Sequence, residues 1–473
     1  MTSLTAPFSV PAPSPRPGGP AFGGPARRDA LVRTGLMAAL WLGLLLVAYW
    51  WAAGGGIHDL GSSPTDVLLS LGRLSGLLGS ALLLAQVLLM ARVPLLEHAY
   101  GHDRLVRIHR VIGFTSFDLI VVHVLLITWG YAAGRLGATP ATFWDLTWHY
   151  PAMLLGVAGT LLLILVVATS VRAARRRLRY ESWHLIHLYG YLGAGLALPH
   201  QLWTGQEFLA RPRATYLWWT VWALVAATVL VYRVVVPLVR NVRHGLRVAA
   251  LFPEGPGVVS VHLVGRRLDR LRAQPGQYFT WRFLDRDGWT RANPFSLSAA
   301  PDGRTLRITV QADGDGSASV AALRPGQRVL VEGPFGRLTP RARTQRKVAL
   351  IGAGVGLAPL RALAEGLAYV PGEAVLLQRY RTHQLFAGEL AGLHQRRGLN
   401  VVAMPGVRRS AGSWVGEGYD GYTDAQVLLG WIPDLAQRDV YVCGPPAWTA
   451  AVRRAAEQAG LPREQWHEEA FGW

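Results

Sequence analysis

Four histidines stand in two long apolar segments. His109 and His123 are fourteen residues apart within Leu105–Tyr131, and His187 and His200 are thirteen apart within Tyr180–Trp203. If both segments are helices, each pair is separated by ~20 Å along its axis at ~1.5 Å rise per residue. Two such helices side by side offer two bis-imidazole sites at two depths of a bilayer core ~30 Å thick. Two stacked haems are the simplest occupant. Neutral imidazole ligates iron well, and facing helices of a bundle are a common place to build such a site. The plain alternative is that each ring bonds a neighbouring carbonyl. That accounts for one histidine readily, but poorly for four at matching depths, because polar groups inside apolar spans are costly and tend to be functional.

The two pairs differ in geometry. A fourteen-residue step returns to within roughly 40° of the same helix face, whereas a thirteen-residue step misses by roughly 140°. Pro199, directly before His200, with Gly193 and Gly195 upstream, provides for a kink that realigns the second pair. His184 competes with His187, since its sixteen-residue spacing to His200 is also off-face. His98, His102 and His149 fall at span ends and read as interfacial.

The elements that must carry these rings are legible as spans: Leu31–Trp51, Thr65–Met90, Leu105–Tyr131, Trp148–Val171, Tyr180–Trp203 and Ala214–Leu238. Each is near or above the ~20 residues needed to cross. The 473 residues are 51% apolar and only 16% charged, with the apolar residues concentrated before Arg240. The formal net charge is +19, almost all arginine; Lys347 is the only lysine. Charge placement argues for a membrane rather than nucleic acid. Arg16, Arg27, Arg28 and Arg33 precede the first span, and the turn Ala52–Pro64 has no basic residue. Arg92, Arg104 and Arg107 then oppose Arg135, the run Arg172–Arg179 opposes Arg211 and Arg213, and Arg240, Arg243 and Arg247 follow the last span. Positive residues collect on the inner side, which puts the N-terminus and the C-terminal half inside, His109 and His187 at the inner level, and His123 and His200 at the outer level. A multi-pass protein of the inner (plasma) membrane is the expectation. Residues 1–30, rich in Pro, Gly and Ala, read as disordered, with the first span as an uncleaved anchor. Cys443 is the single cysteine, which excludes an intrachain disulfide and any thiolate zinc or iron–sulfur site.

The C-terminal half is patterned as a soluble protein. Val258–Leu263 and Arg307–Gln311 read as strands, with turns at Pro275-Gly276 and Pro325-Gly326, so residues 241–340 suggest a small antiparallel barrel. After residue 341 the texture becomes α/β. Val348–Ile351 is a buried-strand run followed by the turn Gly352, Gly354, Gly356, Pro359 and a helical stretch to Leu367. Strand, glycine turn and helix in that order favour a nucleotide pyrophosphate, although a purely structural turn has the same form. The strand Ala374–Gln378 ends at Arg379-Tyr380-Arg381, where arginine could grip a 2′-phosphate or simply be solvated. The strand Asp439–Val442 runs into Cys443-Gly444-Pro445, at the end of a strand where ligands bind in such sheets. The chain finishes Phe471-Gly472-Trp473, and an aromatic there is either incidental or the cover of a flat cofactor ring.

Together these segments resemble the ferric reductase and NADPH oxidase superfamily, particularly its bacterial members, with a C-terminal half similar to ferredoxin–NADP reductases. The resemblance covers nearly everything after residue 30. It rests on the paired histidines, the lead-in Tyr100–His109, Pro275-Gly276-Gln277-Tyr278, Asn293-Pro294-Phe295-Ser296-Leu297-Ser298, Val331–Gly336, the glycine turn and Cys443-Gly444-Pro445. It favours His187 over His184, with Trp183 fitting the same pattern. It departs at Asn293, where the family often has histidine.

The resemblance implies FAD held by Tyr278, Asn293, Pro294, Phe295 and Ser296, with Gly316 and Ser317 at its pyrophosphate and Phe471 and Trp473 at its ring. NADPH, with NADH possible, would take the glycine turn, Arg379, Arg381 and Cys443-Gly444-Pro445. Cys443 and Trp473 would stand where hydride is transferred, and two haem b would sit on the four histidines. The implied function is transmembrane electron transfer from cytosolic NADPH to an outer acceptor. Oxygen giving superoxide comes first, then a ferric chelate, then an extracytoplasmic protein partner. No nucleic-acid role is expected.

Overall fold

The computed structural model describes residues 24–178, 180–284, 292–312 and 319–469. Six long helices precede the first strand: α1 (Gly24–Ala53), α2 (Pro64–Leu89), α3 (His102–Tyr131), α4 (Met153–Ser170), α5 (Tyr180–Thr204) and α6 (Pro212–Leu230). The last continues through a π-helical turn, Val231–Val235, into Val236–His244. Among the described residues, five helices are long and apolar enough to cross a membrane, and α5 is not one of them. Its histidines, tyrosines and glycines, including His187 and His200, lower its hydropathy.

Two boundaries differ from the sequence expectation. Residues 24–30, expected to be irregular, are the first turns of α1, where Asp29 pairs with Arg341 at 3.0 Å. The expected span Trp148–Val171 is two helices, Thr139–His149 and α4. Pro151 cannot continue the first helix, and Ala152 adopts a left-handed φ of 59° before the second begins.

The bundle is assembled from two tightly seamed pairs, α2 with α3 and α4 with α5. Small residues make the seams. A Cβ added at Gly72 would stand 2.9 Å from Ile127, and one at Gly130 would stand 2.6 Å from Leu69. A Cβ at Gly159 would stand 2.6 Å from the Gly193 carbonyl. Close backbone approach of this kind replaces the hydrophobic driving force that helices lack in lipid.

The C-terminal half has two antiparallel sheets and one parallel sheet. β1 (Arg247–Gly255), β2 (Val258–Val264) and β5 (Thr305–Gln311) form the first, in the order β1-β2-β5. β3 (Tyr278–Phe283), β4 (Asn293–Ser296) and β6 (Val329–Phe335) form the second, in the order β4-β3-β6. The expected barrel is not closed: the two sheets are separate, linked among the described residues by the bridges Arg247–Arg328 and Leu297–Ile308 and by hydrogen bonds such as Val329 N–H to the Leu246 carbonyl. Phe279, Trp281 and Phe283 fill the space between them. The parallel sheet has β7 (Lys347–Ala353) at its centre, β8 (Ala374–Arg379) and β9 (Asn400–Met404) on one side, and β10 (Arg438–Cys443) and β11 (Trp466–Glu468) on the other. Helices α7 (Leu357–Gly366), α8 (Ala387–Arg397), α9 (Asp424–Trp431) and α10 (Pro446–Gln458) cover it. All of its central strands are buried, as a parallel sheet covered on both faces requires.

Candidate redox centres and nucleotide crevice

The four histidines meet in two pairs. The His109 and His187 ring centroids lie 6.0 Å apart. Two axial rings on one metal, each with a metal–nitrogen bond of about 2 Å, have centroids about that far apart. At the other level His200 has His123 as a titratable neighbour.

What orients these rings comes from the neighbouring helix of each pair. His123 Nδ1 bonds the Gly72 carbonyl at 2.7 Å, and His109 Nδ1 bonds the Gln86 carbonyl at 3.2 Å. His187 Nδ1 lies 3.3 Å from the Ser170 hydroxyl, which also accepts from Trp183 Nε1 at 3.3 Å. A carbonyl acceptor puts the proton on Nδ1 and leaves Nε2 as the coordinating nitrogen, the arrangement that metal-bound histidines favour. His200 Nδ1 is buried without a partner among the described residues. The supports have a regular spacing of their own. Gly72 and Gln86 are fourteen apart on α2, and Gly156, against His200, and Ser170 are fourteen apart on α4. Pro199 lies inside α5, where the thirteen-residue histidine step is made.

Glycine clears the ring positions. A Cβ at Gly76 would stand 2.5 Å from His123 Nδ1, and one at Gly156 would stand 2.9 Å from His200 Nδ1. The sequence reading missed Gln86, Ser170 and these glycines. The signal was there in Gly72-xxx-Gly76 and in the matching fourteen-residue steps. The charged neighbours of His184 are Arg233 of the π-helical turn and Arg282 and Glu332 of the soluble half.

The candidate flavin strand is β4. Its Ser296 lies opposite Tyr278 of β3, and Phe295 lies opposite Phe279. The Ser296 hydroxyl is buried with no hydrogen-bond partner among the described residues, and the buried Tyr278 hydroxyl neighbours the Arg92 guanidinium. The orphaned Ser296 hydroxyl suits a polar ring edge, because a buried hydroxyl without a partner is costly. Asn293 and Pro294 occupy the first half of the strand, opposite Trp281 and Thr280. Gly316, Ser317, Phe471 and Trp473 lie outside the described residues.

The nucleotide crevice lies where the parallel sheet reverses its order, between β7 and β10. Gly352, one residue before the end of β7, lies opposite Cys443, the turn passes Gly354 at a φ of +55°, and α7 begins at Leu357 with Pro359 in its first turn. A Cβ at Gly356 would stand 2.6 Å from the Cys443 carbonyl and 2.8 Å from Gly444. The backbone therefore closes on itself there, and the helix N-terminus faces the strand ends, where such sheets bind ligands. The Cys443 thiol is fully buried, and burial pushes its pKa well above the ordinary value, so it stays neutral. Pro445 is exposed at the start of α10.

The two arginines after β8 part company. Arg379 is 5% exposed, and its Nη1 donates to the carbonyls of Tyr380 and Met404, at 2.8 and 2.9 Å. That ties Nη1 to the β8–β9 edge, while Nε is buried with no partner among the described residues. Arg381 is exposed, with Arg408 in the same cluster.

A clasp holds the two subdomains together. Arg307 of β5 donates twice to Glu389 of α8, at 2.7 and 3.0 Å, and Arg361 of α7 pairs with the same carboxylate. Arg307 and Arg361 also both reach the Ser298 carbonyl just past β4, at 2.8 and 3.1 Å. Glu389→Gln is expected to lower the unfolding free energy of this half by about 2 kcal/mol, the scale of a charged hydrogen-bond network. Urea titration followed by tryptophan fluorescence measures it.

Comparison with known proteins agrees with this division. Residues 75–198 match the family described as "Ferric reductase like transmembrane component", and residues 350–454 match the "Oxidoreductase NAD-binding domain". The flavohemoprotein of Pseudomonas putida is 30% identical over 43% of this chain and 52% of its own length. The ferredoxin reductase component of the 3-ketosteroid-9-alpha-monooxygenase of Mycolicibacterium smegmatis is 34% identical over 43% of this chain and 57% of its own. The chain thus spans little more than half the length of these relatives. The FAD/NAD-binding domain of a nitric oxide dioxygenase from Vibrio cholerae is 24% identical, with a TM-score of 0.38 over 48% of this chain and 99% of that one. The chain joins a ferric reductase-like transmembrane domain to an oxidoreductase NAD-binding domain.

Proposed function

We propose that this protein is a transmembrane oxidoreductase that carries electrons from cytosolic NADPH through FAD and two b-type haems to oxygen at the outer face, giving superoxide. The reading takes α5 as a sixth span and the two small sheets as a flavin-binding barrel. It places residues 31–240 in the plasma membrane and 241–340 and 341–473 in the cytoplasm. The observation that carries it is the pairing of His109 with His187 and of His123 with His200, on helices whose neighbours set the ring tautomers.

When bound, the flavin turns one hydride into two single electrons and the haems relay them one at a time. The chain's own residues position the partners. The carbonyls of Gln86 and Gly72 hold the Nδ1 protons, which leaves Nε2 of His109 and His123 as the nitrogen to coordinate a metal. The Ser296 hydroxyl offers the hydrogen bond it lacks within the protein. The Gly352–Gly356 turn and Cys443, whose buried thiol stays neutral, shape the dinucleotide crevice.

Two arginines near the outer ends of the helices are engaged in structure. Arg211 Nη1 donates to the Trp50 carbonyl at 2.9 Å, and Arg73 is enclosed by Asp59, Gln206 and Glu207. Arg135 and Arg213, the other arginines on that side, are exposed, so the acceptor is decided by the test below.

The test is an anaerobic spectrum of the haem- and FAD-loaded protein before and after NADPH, followed by air. Reduced b-type bands that reoxidise with superoxide formation support the proposal. Bands that reoxidise rapidly only with ferric chelate, or only with an added extracytoplasmic protein, replace the acceptor. Absence of haem under adequate supply overturns the histidine argument. For the nucleotide, Arg381→Ala is expected to raise KM for NADPH about tenfold, the worth of one charge-assisted hydrogen bond, with NADH little changed. Equal effects on both nucleotides remove Arg381 from the 2′-phosphate.

A further inference from the structure

Arg92 does nothing in the scheme above, yet it occupies the junction between the two halves. It follows α2 directly and takes a φ of 63°, a left-handed conformation unfavourable for a residue with a side chain. Such a conformation persists when the surroundings over-determine it. Those surroundings are specific. Arg92 Nη1 lies 3.1 Å from Glu97 Oε1 and 3.1 Å from His102 Nδ1. Glu97 and His102 are themselves 3.3 Å apart. The Arg92 guanidinium carbon stands 4.3 Å from the centroid of the Phe335 ring, and the Phe335 and Tyr278 rings are 5.7 Å apart. Tyr278 also neighbours the guanidinium directly.

The groups that Arg92 touches belong to two different structures. His102 is the first residue of α3, the helix that carries His109, and Gln86, shortly before Arg92 on α2, holds the His109 ring. Phe335 ends β6, and Tyr278 faces Ser296 across the β3–β4 ladder. One planar cation thus stacks on the flavin-side strands while bonding the lead-in of the inner histidine helix. Only 8% of the Glu97 side chain and 17% of the Arg92 side chain is exposed. Burial by itself would raise the Glu97 carboxyl, but its bonds to His102 and Arg92 hold it below the ordinary carboxylate range, so the ion pair persists at neutral pH. A buried pair loses heavily when one partner is removed, because the other charge is left uncompensated. Lysine replaces the charge but not the flat face or the fork.

We propose that Arg92 is a positioning residue that docks the flavin strands onto the inner histidine helix and so sets the rate at which single electrons cross between them. The proposal rests on the functional reading above.

The test compares Arg92→Lys and Arg92→Met with the unaltered full-length, cofactor-loaded protein in two rate assays and one structural one. Ferricyanide accepts single electrons from reduced flavin directly and becomes ferrocyanide, so NADPH–ferricyanide turnover reports hydride transfer without the junction. Stopped-flow haem absorbance reports the crossing. Hydrogen exchange over Pro94–Tyr100 and Val329–Phe335 reports docking, and it needs neither haem nor turnover. In Arg92→Met, ferricyanide turnover is expected to stay within twofold while haem reduction falls at least tenfold and both segments exchange faster. Arg92→Lys should fall between Arg92→Met and the unaltered protein. Unchanged haem reduction in both variants overturns the proposal, as does an equal fall in both rates, which marks a general folding defect. If the unaltered protein carries no haem, the functional reading fails separately. Unchanged exchange in the variants then overturns the docking role as well, while faster exchange in both segments upholds it.

Discussion

Replacing His187 with alanine is expected to remove the inner haem, while replacing His184 leaves both haems in place. The two residues are one helical turn apart, and helix periodicity alone does not separate them. Their surroundings do. The His187 ring is 6.0 Å from His109 and 4.9 Å from Trp183, with Nδ1 beside the Ser170 hydroxyl. His184 instead neighbours Arg233, Arg282 and Glu332, a charged environment that suits a surface contact. In His187→Ala one axial ligand is lost outright, so the pyridine haemochrome should fall to about half while flavin content stays unchanged. The remaining bands should then belong to the His123–His200 level. Retention of both haems in His187→Ala, with loss in His184→Ala, would exchange their roles. Ser170→Ala should be milder, shifting the haem potential without loss of haem, because such a partner orients a ligand rather than binding metal.

Gly76→Val carries the second large effect, at the other level. A Cβ at this position would be 2.5 Å from His123 Nδ1 and 2.9 Å from its Cε1. The ring cannot yield freely, since its Nδ1 is bonded to the Gly72 carbonyl on the same helix. Valine must therefore push α2 from α3 or turn the ring off its acceptor. Overpacking of this kind costs roughly 1–3 kcal/mol, and a turned ring presents the wrong nitrogen. The expected outcome is loss of the outer haem, with the inner haem and NADPH–ferricyanide turnover retained. Gly76→Ala should show a graded version. A normal haem content in Gly76→Val, measured spectroscopically in detergent, would show that the seam is looser than the structure has it.

The histidine pairs were legible because their signal is local. Fourteen residues along a helix fix depth and face without knowledge of any neighbour. The thirteen-residue step in α5 was harder, and the supports Gly72, Gln86, Gly156 and Ser170 were not read from the sequence at all. Each of them acts across a helix seam. The same holds at the nucleotide end. The turn Gly352–Gly356 was readable as strand, glycine and helix in series. What became of Arg379 depended on the Met404 carbonyl of β9, a neighbour set by sheet order. The helix break at Pro151 was a local signal left unused.

By itself, the sequence determined five of the segments that are apolar enough to enter a bilayer, the spacing of the imidazoles along their helices, which strands precede glycine turns, and that one cysteine excludes an intrachain disulfide. These follow from backbone periodicity and composition, which act within a few residues. The tertiary structure alone decided which ring nitrogen is held, that His187 rather than His184 meets His109, that Arg379 Nη1 bonds backbone carbonyls, and that Arg92 contacts both halves. Those outcomes depend on hydrogen bonds and close packing between groups distant in the chain, whose geometry exists only once the helices and sheets have found their partners.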